Sequence, residues 1–215
     1  MSKIAIIDYG VGNLQSVSRA FEKVTNAEVL VTENQDTIFN SDLLVLPGVG
    51  AFGKAIEELN KRNLVDTIKE YALTEKTIIG ICLGMQLFAT KSFEFGEYEG
   101  LDLIPGEVKK IATGKLNKYH IKIPFIGWAQ IKIDNSVLEN ETFLNKYHNS
   151  SMYTVHSYQF IPDQRIHRKG FYIYDDNEIA SIVKKNNIIG LQFHPEKSGQ
   201  VGLDFLKKIC NESGI

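Results

Sequence analysis

The sequence predicts an α/β protein: a doubly wound, mostly parallel sheet with helices on both faces and added antiparallel strands. Three observations carry this. In the first half, short β-branched and aliphatic runs alternate with amphipathic helical stretches, which is the pattern of successive βα units. Those runs are almost continuously apolar, as strands buried on both faces must be. In the second half the runs are shorter, are separated by turn residues and show partial two-residue alternation, the mark of antiparallel strands.

Taken in order, Lys3 to Asp8 reads as a buried strand, followed by Tyr9-Gly10-Val11-Gly12-Asn13 and a helix with apolar residues at Leu14, Val17, Ala20, Phe21 and Val24. Gly10-x-Gly12 lacks the third glycine of a dinucleotide fingerprint, because Gln15 stands in its place, so no nucleotide site is expected there. Ala27 to Thr32 and Asp42 to Leu46 are the next strands. The latter runs into Pro47-Gly48-Val49-Gly50, and helices are expected over Ala51 to Lys61 and Leu64 to Thr74. Thr77 to Ile81 is a strand that meets Cys82 between Gly80 and Gly84, with an apolar helical pattern after it. Later strands are expected over Glu107 to Ile111, Gly127 to Ile133, Met152 to Phe160, Phe171 to Tyr174, Ile179 to Val183 and Asn187 to Phe193, with a closing helix from Ser198 that buries Val201, Phe205, Leu206 and Ile209. No linker, repeat or low-complexity tract divides the chain, which reads as one domain over residues 1–215.

Composition excludes several classes. Lys and Arg total 24 against 26 Asp and Glu, with no block of like charge, so neither nucleic acid nor a membrane is an expected partner. The apolar run at the N-terminus is too short for a signal peptide or a span, which points to the cytoplasm. The cysteines, Cys82 and Cys210, form no disulfide framework, and no Cys or His pairs occur at zinc spacing, so no metal and no other cofactor is expected. Cys210 lies on the apolar face of the last helix and reads as core.

Gly80-x-Cys82-x-Gly84 is the cysteine counterpart of a nucleophile elbow, in which small neighbours let the chain turn sharply and lift a reactive side chain above the sheet. A thiol there would sit at a helix N-terminus, which favours the thiolate. The same segment equally suits a cysteine buried in a tight turn. His194 also follows a predicted strand, and Glu196 lies two residues on, where an extended segment puts both side chains on one face. A carboxylate behind an imidazole fixes its tautomer and stabilises the imidazolium, so Cys82, His194 and Glu196 together form a nucleophile, base and orienter. Singly, His194 reads as a loop histidine and Glu196 as a helix-end carboxylate. Together with Cys82 the catalytic reading is favoured.

Gly80-Ile81-Cys82-Leu83-Gly84-Met85-Gln86 and His194-Pro195-Glu196 resemble the triad signature of class I glutamine amidotransferases. Further segments narrow the likeness: Asp8-Tyr9-Gly10-Val11-Gly12-Asn13, Leu46-Pro47-Gly48-Val49-Gly50-Ala51-Phe52, Gly127-Trp128, Val155-His156-Ser157-Tyr158 and Gln192-Phe193-His194-Pro195-Glu196-Lys197-Ser198. Together they resemble the glutaminase subunits of imidazole glycerol phosphate synthases, over nearly the whole chain. The resemblance implies that Cys82 attacks the side-chain amide of L-glutamine, releases ammonia and leaves a thioester that water hydrolyses to glutamate. It implies oxyanion donors at Leu83 and Val49, with a peptide flip at the glycine-rich turn completing the site when a partner signals. Gly50, Gln86, Ser157 and Tyr158 are implied contacts to glutamine. The implied partner is a barrel-fold cyclase, in a heterodimer, that uses the ammonia to form imidazole glycerol phosphate and an aminoimidazole carboxamide product in histidine biosynthesis. His156 also reads as a neutral core residue, and His120, His148 and His167 as surface residues.

Phe125 and Ala129 depart from the family pattern, which reads Pro-His-Ile/Met-Gly-Trp-Asn around that tryptophan. The departure is expected near the partner surface and leaves a second acceptor open, a synthase for amidino-modified surface sugars. A catalytically silent interaction subunit of the same fold is the alternative of another class, and the intact Cys82, His194 and Glu196 argue against it.

Overall fold

The structure is a computed structural model that describes residues 1–112, 122–139 and 143–215. In chain order the elements are β1 (Lys3–Ile7), α1 (Leu14–Val24), β2 (Glu28–Thr32), α2 (Gln35–Phe39), β3 (Leu43–Gly48), α3 (Phe52–Lys61), α4 (Leu64–Ala72), β4 (Thr77–Cys82), α5 (Leu83–Leu87), β5 (Lys91–Ser92), β6 (Tyr98–Glu99), β7 (Gly106–Lys110), β8 (Phe125–Gln130), β9 (Lys132–Ile133), α6 (Asn135–Leu138), β10 (Ser151–His156), β11 (Tyr158–Pro162), β12 (Arg168–Tyr174), β13 (Asn177–Lys185), β14 (Ile188–Leu191) and α7 (Gly199–Glu212). The main sheet has eight strands in the order β2-β1-β3-β4-β14-β13-β12-β9. Its β2-β1-β3-β4-β14 part is parallel, and β13, β12 and β9 extend it antiparallel.

Strands β1, β3 and β4 are buried along nearly their whole length because both sheet faces are covered. Ile4, Ile6, Leu43, Val45, Ile79 and Ile81 pack with residues of α1 and α7. Their neighbours Ala5, Ile7, Leu44, Leu46 and Ile78 pack with α3, α4 and the start of α5. The two-residue period of the strands thus divides each apolar run between two cores. Cys210 lies fully buried in the first of them.

The expected strand Met152 to Phe160 is split in two. Residues before Ser157 form β10, which pairs with β8 in a two-stranded sheet. Those after it form β11, in the four-stranded sheet β11-β7-β5-β6. Alternation cannot reveal such a change of partner, since both halves keep the same period. The helix after Cys82 is also shorter than its apolar pattern suggests: α5 holds five residues, after which the Leu87, Phe88 and Ala89 carbonyls accept from Leu101, Ile104 and Asp102. Short α2 and α6 carry too little periodicity to be read in advance.

One close approach sets the geometry of the elbow. A Cβ on Gly84 would lie 1.8 Å from the Leu46 carbonyl oxygen of β3. We therefore expect Gly84→Ala to destabilise the protein by about 2–3 kcal/mol or prevent folding, through overpacking against backbone that cannot give way, as read by urea unfolding. Wild-type stability in this variant would contradict the packing described.

Candidate active site

β4 and β14 are adjacent and parallel, so the segments leaving their carboxyl ends emerge side by side. That is where an open α/β sheet presents ligands. Cys82 ends β4 with φ 55° and ψ −109°, a conformation costly for a non-glycine residue. The turn lifts Sγ out of the strand while leaving the residue 6% exposed. His194 lies three residues past the last paired position of β14, buried at 2% exposure, with its backbone N–H donating to the Tyr153 carbonyl of β10 at 2.8 Å. His194 Nδ1 meets Glu196 Oε1 at 2.8 Å. Pro195 to Lys197 form a short 3-10 turn rather than extended chain, so the His–Glu contact arises from a turn and not from a shared strand face.

His194 Nε2 makes no hydrogen bond of standard geometry with the described residues. It is still close enough to the Cys82 sulfur for the two to interact. Burial opposes the imidazolium, but Cys82 and Glu196 outweigh burial and raise the His194 pKa to about 10. His194 is thus disposed to hold a proton, with the Glu196 carboxylate behind it and the Cys82 sulfur beside it.

The cleft over Cys82 has a volume of about 350 Å³. Val49, Gly50, Leu83, Gln86, Ser157, Tyr158 and His194, all singled out from the sequence, line it with Cys82. Gly48 pairs with Cys82 across β3 and β4, which sets the Val49–Gly50 turn beside the elbow. Gly50 has φ 101°, a conformation that favours glycine, and a Cβ there would meet nothing within 4 Å, so it is the conformation and not space that selects the residue. Gln86 donates from Nε2 to the Tyr158 carbonyl at 2.9 Å and to Gln192 Oε1 at 3.0 Å. Its nitrogen is fully used, which leaves Oε1 as the end able to meet a ligand.

Two lining residues were missed in the sequence. Glu94 is a buried carboxylate whose Oε2 accepts the Phe52 backbone N–H at 2.7 Å, and burial pushes its pKa up despite that bond. It lies among glutamates that read as surface charge, and only its bond to the N-terminus of α3 singles it out. Pro124 follows a cis peptide bond and precedes β8. His156, left open between a site residue and core, is buried. Nδ1 meets the Tyr158 carbonyl at 2.6 Å and Nε2 meets the Tyr172 hydroxyl. Burial first, and then the charge of His194, hold its pKa down at about 4, against the Tyr158 carbonyl that raises it. His148 is exposed and His167 half-buried, both outside the cleft; His120 lies outside the described residues. Among the described residues no group of three His, Cys, Asp or Glu could hold a metal ion.

Residues 5–210 match the family described as glutamine amidotransferase class-I. The HisH 1 subunit of imidazole glycerol phosphate synthase from Legionella pneumophila strain Paris is 43% identical over 211 residues, covering 97% of this chain and 98% of that one. The chain belongs to the class I glutamine amidotransferases, in the HisH group. A HisH subunit from Lactococcus lactis is 42% identical over 213 residues, 99% of this chain and 100% of its own. Among solved structures, PurLQS from Thermotoga maritima superposes with a TM-score of 0.69 at 17% identity, covering 98% of each chain. A crystal structure described as glutamine amidotransferase does so with a TM-score of 0.69 at 13% identity, covering 99% of each. These two likenesses bear on the fold, whose doubly wound sheet with added antiparallel strands is that of the amidotransferase family.

Phe125 and Ala129, where this amidotransferase departs from the family pattern, lie on the inward side of β8. On β8, Ile126, Trp128 and Gln130 are exposed, while Phe125 and Ala129 turn inward. Phe125 stacks on Tyr172 at 5.5 Å and leans on Tyr174 at 4.5 Å, and Ala129 lies in the same apolar cluster. Both residues therefore pack in the layer directly beneath the exposed face of β8.

His156 should remain neutral down to about pH 4 in the folded protein. Its folded pKa lies below the ordinary value near 6.5, so stability is full above about pH 6.5 and falls toward pH 4, by up to about 3 kcal/mol. Imidazole NMR titration reads this directly, and a His156 resonance that titrates near 6.5 would overturn it.

Proposed function

We propose that this amidotransferase hydrolyses L-glutamine to glutamate and ammonia through Cys82, His194 and Glu196. The observation that supports it most is the His194–Glu196 contact at 2.8 Å beside a cysteine held at positive φ in the floor of one cleft. The Cys82 thiolate attacks the side-chain amide carbon. His194 gives a proton to the departing nitrogen, and ammonia leaves a thioester. Water then attacks, with His194 taking its proton, the tetrahedral intermediate expels the Cys82 thiolate beside the imidazolium, and glutamate leaves with its carboxyl proton passing to solvent. The oxyanion of each tetrahedral intermediate is met by the Leu83 N–H, and by the Val49 N–H once the Gly48–Val49 peptide has turned. Gly50, Gln86 through Oε1, Ser157 and Tyr158 hold glutamine. The buried Glu94 carboxylate suits its α-ammonium group. No cofactor takes part.

The ammonia goes to a barrel-fold cyclase subunit bound as a heterodimer, as the names of the HisH relatives support. The product of that partner is imidazole glycerol phosphate, with an aminoimidazole carboxamide, in histidine biosynthesis. The chain acts as one glutaminase domain in the cytoplasm. Among the described residues no helix is long and apolar enough to cross a membrane. The docking face includes Ile126 and Trp128, exposed at 61% and 58%. They lie one strand away from the carbonyl of Tyr153 that holds the His194 backbone, since Trp128 pairs with Tyr153. Because Phe125 and Ala129 point inward, this outer face keeps its aliphatic and aromatic character, and the naming of the relatives as imidazole glycerol phosphate synthase subunits favours that synthase over a sugar synthase as acceptor.

Glutamate and ammonia release, measured with and without the cyclase and its nucleotide substrate, tests the assignment. Cys82→Ala should lower turnover by about 10⁴-fold with the fold intact, and Glu196→Gln by about 10²-fold. A Cys82→Ala variant with full turnover would overturn the triad. Trp128→Glu should weaken cyclase binding by about 2 kcal/mol or more while leaving uncoupled glutamine hydrolysis unchanged, as read by titration calorimetry and by assay of the isolated subunit.

A further inference from the structure

The buried polar groups around the cleft form one chain of hydrogen bonds that ends on the Cys82 sulfur, and its direction is fixed at a single point. The Tyr158 carbonyl can only accept. Gln86 reaches it at 2.9 Å, so the end of the Gln86 amide facing Tyr158 is the nitrogen. The second hydrogen on that nitrogen points to Gln192 Oε1 at 3.0 Å. The Gln192 amide must then turn its own nitrogen the other way, where Cys82 Sγ lies 3.7 Å off. The Tyr158 carbonyl also meets His156 Nδ1, which must therefore carry the proton in the neutral ring. Nε2 is left as the acceptor for the Tyr172 hydroxyl. Gln192 is wholly buried and Gln86 nearly so, so little water competes for these bonds.

We propose that Gln192 is a catalytic residue of this glutaminase, donating a side-chain N–H to the Cys82 thiolate, and that Gln86 is the positioning residue that fixes the direction of that amide. The inference rests on the reading of Cys82 as the nucleophile. The sulfur sits between opposed neighbours. The Val155 carbonyl, 3.7 Å away, accepts from the thiol but repels the thiolate, whereas Gln192 stabilises the thiolate. The other groups that face the sulfur are His194, with Glu196 behind it, and the hydroxyls of Tyr9 and Tyr172, whose ionisation its charge opposes. The thiolate arises twice in a turnover, as the attacking group and as the group expelled from the thioester by water. His194 changes protonation between these steps, and the Gln192 donor does not.

The test follows alkylation of Cys82 by iodoacetamide across pH, by mass spectrometry of the Cys82 peptide, in the full chain without glutamine. Gln192→Met keeps the length and removes the donor, and Gln192→Glu replaces the donor with an acceptor. Each should raise the pH midpoint of alkylation by about one unit and lower kcat about tenfold with little change in KM for glutamine. A folded Gln192→Met protein with wild-type midpoint and kcat would overturn the proposal. Should both Gln192 variants fail to fold, the wild-type protein decides: the Gln192 side-chain NH₂ resonances must move with the Cys82 alkylation midpoint, and resonances that stay fixed overturn the proposal. If Cys82→Ala retains glutaminase activity, the nucleophile reading fails. If activity needs Cys82 but ignores Gln192, the donor alone fails.

Discussion

The packing of Gly84 against the Leu46 carbonyl is the constraint on which the site depends. The start of α5 can lie this close to β3 only because Gly84 has no side chain, and the approach leaves Cys82 at φ 55° at the junction. A residue held so costs about 1–3 kcal/mol, which the buried faces of β3, β4 and β14 must offset. The same approach sets the Pro47–Gly50 turn beside the sulfur, with the Tyr9 hydroxyl donating to the Pro47 carbonyl at 2.7 Å. Cys82 and the turn are therefore placed by one contact between adjacent elements.

The opposite wall of the cleft is made differently. Ser157 divides what would be one strand, sending β10 to β8 and β11 to β7. Chain that changes sheets exposes backbone groups that must find partners. The Tyr158 carbonyl meets both Gln86 and His156, and the Ser157 carbonyl accepts the Ile111 N–H at 3.0 Å. The wall is thus ordered by buried hydrogen bonds, while the elbow is ordered by steric fit. Behind it, Phe125, Tyr172 and Tyr174 form an aromatic layer that supports His156 from below while β8 presents Ile126 and Trp128 outward.

Much of the site was legible in the sequence because its residues are dictated by local chemistry. Glycines on either side of a cysteine, and a carboxylate two positions after a histidine, carry their meaning within a few residues. Glu94 and Gln192 have no such local mark. Each is one polar residue among others until packing buries it, Glu94 against the N–H of Phe52 and Gln192 between Gln86 and Cys82. The inward turn of Phe125 and Ala129 likewise follows from the register of β8 against β10, which pairs His156 with Phe125.

By itself the sequence determined the alternation of strands and helices and the parallel core with antiparallel additions, and it singled out Cys82, His194 and Glu196 as candidates, since burial on two faces and the demands of a strained elbow restrict composition position by position. Only the tertiary structure decided where β10 ends and β11 begins, that the His194–Glu196 contact is made through a 3-10 turn, and which amide end faces the Cys82 sulfur. Those features depend on partners distant in the chain, Gln192 with Gln86 and Tyr158 among them, and hydrogen-bond direction is set by the acceptor that packing brings into reach.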